Sequence, residues 1–180
     1  PVHLLWINLV TDTFPALALG VEPEEQDIMS RPPRDRKTPF MCGVDWLRVA
    51  LVGAFEAVLA LAAFLAGREL FSSAETGMTM AFLTLSLSQL FATLGFQSER
   101  RSVFHMKPGK HRALWLALLG SAALQLVVVL APPLRALFGL VALNIEEYGI
   151  ILALCLLMLL FIEGQKFAAR LRERKRTHGA

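Results

Sequence analysis

Charge is scarce in this 180-residue chain. Asp, Glu, Lys and Arg make up only 18% of it, where a soluble domain of this size carries roughly 25%. Two cysteines, Cys42 in a polar stretch and Cys155 in an apolar one, are too few and too far apart for a disulfide framework or a metal knuckle, and we expect free thiols. There is no glycine-rich phosphate loop and no nucleophile beside a base. The first ten residues lack the basic region of a signal peptide, so Pro1 is expected to mark a cut in a longer polypeptide. Together with the apolar excess described next, these absences exclude a disordered chain, a nucleic-acid module and almost any soluble enzyme.

Apolar residues fill the space that charge leaves. They account for 55% of the chain, mean hydropathy is +0.53, and the excess is gathered into blocks. A membrane helix needs about 20 apolar residues, with a range near 17–25. Five blocks qualify or nearly so: 4–21, 44–65, 78–96, 113–131 and 148–166. The expected fold is all-α, a polytopic bundle of five membrane helices. The fifth block reaches membrane length only if its end, Glu163 to Lys166, lies at the interface with Lys166 snorkelling to water.

The basic residues orient the bundle. The polar segments 22–43 and 97–112, the start of the second block at Arg48, and the tail from Lys166 hold sixteen of the 18 lysines and arginines; Arg68 and Arg135 are the other two. Five spans put the rich segments on one face, which the positive-inside rule makes cytoplasmic. The basic tail 167–180 is read as an anchor against anionic headgroups, not as a nucleic-acid patch. Lipid is an expected partner, and nucleic acid is not.

A charged side chain at mid-bilayer costs at least ~2.5–3.5 kcal/mol, so each one needs a reason. The first block contains Asn8, Thr11 and Asp12, a spacing that puts all three on one face of an α-helix. An amide oxygen, a hydroxyl and a carboxylate are hard ligands that suit a cation such as Ca²⁺. Pro15 has no N–H for the carbonyl four residues earlier, so the first helix is expected to be broken near Asp12–Pro15. Freed backbone oxygen in a membrane is tolerated where it lines a cavity or binds an ion. The alternative is a polar patch packed on a neighbour, with a simple kink. In the third block Gln89 is either a neutral ligand to the same cation or interhelical glue. Glu56, mid-way along the second block, is either neutral and hydrogen-bonded between helices, paired outside this chain, or part of a proton path. Glu163 is read as an interfacial partner of Lys166, and His3, His105, His111 and His178 lack ligand-like partners.

The run LLWINLVTDTFPALALGVEPEEQDIMSRPPR, Leu4 to Arg34, resembles the sixth membrane helix and following loop of type II P-type cation ATPases, calcium pumps above all. The likeness rests on N-L-V-T-D at Asn8–Asp12, Pro15, and D-I-M-S-R-P-P-R at Asp27–Arg34. It extends through Thr79-Met80-Ala81 to Glu163, Lys166-Phe167 and Arg170. The resemblance implies that residues 1–180 form the last five of ten helices, a C-terminal transport domain, with the remaining helices and cytoplasmic domains as its partners. It implies Asn8 and Asp12 as ligands of the site common to calcium pumps, and Thr11 as a ligand of a second site. Gln89 stands where two-ion pumps carry an acid, which puts that second site in doubt. Arg31, Pro32, Pro33 and Arg34 match the loop that couples the membrane to the phosphorylation domain. The D-K-T-G-T phosphorylation motif is not in these residues, so ATP and Mg²⁺ are expected to act in domains outside them. Two alternatives stay open: a membrane scaffold that binds a partner without transport, and a pump for Mn²⁺, Na⁺, K⁺ or H⁺.

Overall fold

The computed structural model describes residues 2–21, 43–96 and 111–178. These are helical, with no strand among them. The first helical stretch consists of α1 (Val2–Ile7), a π-helical turn (Asn8–Asp12) and α2 (Thr13–Gly20). Then follow α3 (Gly43–Leu70), α4 (Ala74–Phe96), α5 (Arg112–Leu130), the short α6 (Pro132–Leu137) and α7 (Ile145–His178). Helices dominate because hydrocarbon offers no partner for backbone N–H and C=O groups, and a helix satisfies them internally.

Among the described residues four segments are long and apolar enough to cross a membrane: Trp46–Leu70, Ala74–Phe96, Arg112–Leu130 and Ile145–Leu171. The first stretch, expected as a fifth span, is divided by its π turn into α-helical pieces of six and eight residues. The interruption lies at Asn8–Asp12, N-terminal to Pro15, and is a widened turn with α-helix on both sides. Pro15 is accommodated inside α2, three residues after the π turn, at the loss of one backbone hydrogen bond.

The second and fifth blocks form longer helices than their hydropathy marks. Both continue into charged sequence, α3 through Arg68 and Glu69 and α7 through the basic tail. A helix ends where its hydrogen bonding ends, and charged residues with good helical propensity continue it beyond the apolar slab. The polar link expected over 66–77 therefore shrinks to a tight turn in which Ser72 has a φ of 54°. Ser73 caps α4 by accepting the Thr76 amide at 3.2 Å. The capping-box pattern opens α7, where the Glu147 carboxylate accepts the Asn144 N–H at 2.6 Å.

α4 is the central element, with α3 and α7 on one side and the first stretch and α5 on the other. At the crossing of α3 and α4 a Cβ on Gly67 would lie 2.4 Å from the Gly77 Cα, and one on Gly77 would lie 2.6 Å from the Phe64 carbonyl oxygen. Small residues of this kind allow helix backbones to approach closely in membranes. Met80, Leu83, Val128, Ile151 and Cys155 are buried in the largest apolar cluster; a second joins Val52, Leu59, Ala92, Met158 and Ile162. Phe55 stacks on Phe161 with centroids 4.2 Å apart.

Lys166 departs from expectation. Its side chain is fully buried and donates to Glu163 at 2.9 Å instead of snorkelling to water. The continuation of α7 past this point makes Lys166 an interior position of a packed helix, where ion pairing is the way to keep a buried ammonium.

Candidate cation site

The site is built where the first stretch meets α4 and α5. A π turn closes i→i+5 hydrogen bonds, so each revolution takes more residues than in an α-helix. Residues three apart then no longer fall on one face. Asn8 is exposed while Thr11 is buried, at 1% exposure, against α4. The common face expected for Asn8, Thr11 and Asp12 is therefore not kept between the first two. Asp12 is described through its backbone alone; its side chain lies outside the described parts.

Thr11 and Gln89, chosen from different blocks of the sequence, come together. The Thr11 hydroxyl lies 2.8 Å from Gln89 Oε1 and 2.6 Å from the Ile7 carbonyl oxygen. With one hydrogen to give, it donates to one of these acceptors at a time. The Thr13 hydroxyl donates to the Asn8 carbonyl at 3.2 Å.

Pro15 has no N–H, so in the α-register of α2 the Thr11 carbonyl lacks its amide donor. The hydroxyl of Ser121 on α5, itself buried, donates to the Val10 carbonyl at 2.8 Å. One turn away, the Trp6 indole N–H donates to Gln125 Oε1 at 2.9 Å. Neither Ser121 nor Gln125 stood out in the sequence, because α5 lacks charge within its apolar run. Their spacing of four, with both polar in an otherwise apolar helix, is the signal that finds them.

Other candidates fall elsewhere. Glu56 is half-buried on α3 and accepts the Ser88 hydroxyl at 2.9 Å across the α3–α4 contact, one residue before Gln89. His3 places Nε2 2.6 Å from the Phe138 carbonyl oxygen, with its ring edge-on to Phe82 and Phe138. The loop residues Arg31, Pro32, Pro33 and Arg34 lie outside the described residues. Among the described residues no three His, Cys, Asp or Glu side chains converge on a metal position. The described oxygens at the π turn are those of Thr11, Gln89 and Ser121 and of the Ile7, Asn8 and Val10 carbonyls.

Four membrane-length helices and a polar centre at a helix interruption define a multi-pass membrane protein with oxygen donors inside its bundle. The chain belongs to the cation-transporting ATPases: residues 1–168 match the family model described as cation transporting ATPase, C-terminus. It is 34% identical to calcium-transporting ATPase 1 of Bacillus cereus over 188 aligned residues, covering 94% of this chain and 21% of that protein. It is 35% identical to a calcium-transporting ATPase of Bacillus subtilis, covering 86% of this chain and 17% of that protein. For a calcium-transporting ATPase of Plasmodium falciparum the figures are 27%, 98% and 18%. The chain spans about a fifth of the length of these curated relatives.

Proposed function

We propose that residues 1–180 are the C-terminal transport domain of an ATP-driven pump whose cargo is Ca²⁺. One observation carries the reading: Thr11, inside the π-helical N-L-V-T-D segment, meets Gln89 of α4 at 2.8 Å, so oxygen donors from two helices adjoin an interrupted backbone. Hard oxygen donors select cations such as Ca²⁺ over metals that prefer sulfur or imidazole, and the similar proteins are named as calcium-transporting.

In this reading Asn8 and Asp12 bind the ion, and Asp12 carries the negative charge that a divalent cation needs. Thr11 and Gln89 are hydrogen-bonded to each other in place of a second ion, and the neutral Gln89 brings no charge to hold one. The pump then moves one Ca²⁺ per cycle. The exposed face that carries Asn8, Leu5 and Leu9 is covered in the complete protein by the preceding helices, which supply the remaining ligands. ATP and Mg²⁺ act in domains outside these residues. Phosphorylation there swings the helices through the Arg31–Arg34 loop, so that the site opens to alternate sides. The first stretch is the fifth span, and the basic loops and tail face the cytoplasm. Glu56 is a neutral acid shared between α3 and α4.

The test is Asp12→Asn in the full-length pump. Loss of Ca²⁺-dependent phosphorylation from ATP is the expected result, and undiminished phosphorylation removes Asp12 from the ligand set. ATPase activity across a panel of Ca²⁺, Mn²⁺, Na⁺ and K⁺ checks the cargo; stimulation by Na⁺ alone refutes Ca²⁺.

A further inference from the structure

We infer that Ser121 and Gln125 of α5 are positioning residues for the cation helix, holding the π turn at Asn8–Asp12 in the register that presents its ligands. The inference rests on the proposed site and adds a helix that contributes no ligand to it.

The geometry is that of two antiparallel helices in step. Ser121 faces Val10 and Gln125 faces Trp6, so a four-residue step on α5 matches a four-residue step on the first stretch. Farther along, Ala18 packs with Leu114 and Leu118. The upper contact, Trp6 to Gln125, precedes the π turn, and the lower contact, Ser121 to Val10, lies within it. A widened turn can relax by passing its extra residue along the helix, which re-pairs the carbonyls one by one. Fastening the Val10 carbonyl to Ser121 opposes that migration, because a carbonyl that changes its amide partner must first turn away from the hydroxyl.

The cost of the arrangement argues against simple space filling. Gln125 is fully buried, yet its Nε2 has no hydrogen-bond partner. A buried amide group left half-satisfied is expensive, and an apolar residue of similar size would avoid that expense. Ser121 likewise spends its hydroxyl on a different helix, although a serine can bond back to its own.

The experiment measures the Ca²⁺ dependence of phosphorylation from ATP in the full-length pump, together with thermal stability. Ser121→Ala is expected to raise the Ca²⁺ concentration for half-maximal phosphorylation about tenfold, with the maximal level retained, because the register and not the ligands is lost. Ser121→Thr, which keeps the donor, restores wild-type dependence to within about twofold. Gln125→Leu shifts the dependence in the same direction by a smaller factor. Should Ser121→Ala fail to accumulate, Ser121→Cys, similar in size but a weak donor, is read by the same criteria. Variants that lose thermal stability but keep the wild-type Ca²⁺ dependence overturn the inference. Asp12→Asn separates the two readings: if it abolishes phosphorylation while Ser121→Ala behaves as wild type, only the positioning role fails. If Asp12→Asn is silent, the site itself fails.

Discussion

The first helical stretch and α4 both carry hydroxyl and amide side chains through an apolar environment, and they dispose of them differently. On α4 three hydroxyls bond back along their own helix: Thr79 to the Glu75 carbonyl, Ser86 to Phe82, Thr93 to Gln89. Their hydrogens are spent locally and the helix stays regular, although Thr79 also accepts the Val141 N–H at 3.1 Å. On the first stretch Thr13 and Thr11 also reach carbonyls of their own helix, but cross-helix bonds join them: Thr11 to Gln89 of α4, the Val10 carbonyl to Ser121 of α5, and Trp6 to Gln125. The difference follows from register. A regular helix satisfies its own carbonyls, whereas a π turn changes which amide each carbonyl meets, and there a neighbour's hydroxyl reaches the Val10 carbonyl. A polar residue in a membrane helix is therefore weak evidence for a site, and an interruption whose carbonyls meet outside donors is stronger evidence.

The comparison can be broken in several places. The largest expected effect is at the far end of α7, where ionic groups and not hydroxyls are buried. Lys166→Ala leaves the Glu163 carboxylate beside a lost ammonium and should cost about 3–5 kcal/mol in the folded pump. Replacing both partners, Lys166→Met with Glu163→Leu, should recover most of that loss, and a double-mutant cycle on thermal unfolding in detergent measures it. Next is Gly67→Ala, whose methyl would meet α4 backbone at 2.4 Å. About 1–3 kcal/mol of overpacking is expected, read from the same unfolding curves. The sharpest contrast comes from two serines on one helix. Ser88→Ala removes a hydroxyl that lies 2.9 Å from Glu56 Oε1 across the helix contact and 3.0 Å from the Leu85 carbonyl of its own helix, and should cost about 0.6–1.7 kcal/mol. Ser86→Ala removes only a back-bond and should stay within about 0.5 kcal/mol. Equal costs at Ser86 and Ser88 would show that the distinction between local and cross-helix hydroxyls has no energetic content.

Much of the bundle was legible in the sequence because hydropathy over 20 residues responds directly to the solvent each helix meets. The ends were less legible. α3 and α7 run past their apolar blocks, since charged residues with helical propensity continue a helix into water. Lys166 was misjudged for a related reason: a lysine near a block end snorkels if it faces water, and only the packing of α7 reveals that it faces a neighbour. Pro15 marked the interruption within one turn, but its form as a π turn at Asn8–Asp12, with Ser121 of α5 on the Val10 carbonyl, is set by packing. Within the candidate site Thr11 and Gln89 could be named as oxygen donors from residue chemistry. Their mutual hydrogen bond, and the support from Ser121 and Gln125, joins positions 78 to 119 residues apart.

The sequence by itself determined that this is a helical membrane protein, which side its basic segments favour, and that an acid and a proline share one turn of its first helix. Those properties are local: each follows from transfer free energies and backbone chemistry over a few turns. Tertiary structure decided which polar groups meet, which of Asn8 and Thr11 is buried, and which neighbour reaches the Val10 carbonyl in the π turn. Such pairings depend on helix register across the bundle, and a hydrogen bond over 2.8 Å is lost by a shift that no hydropathy pattern can register.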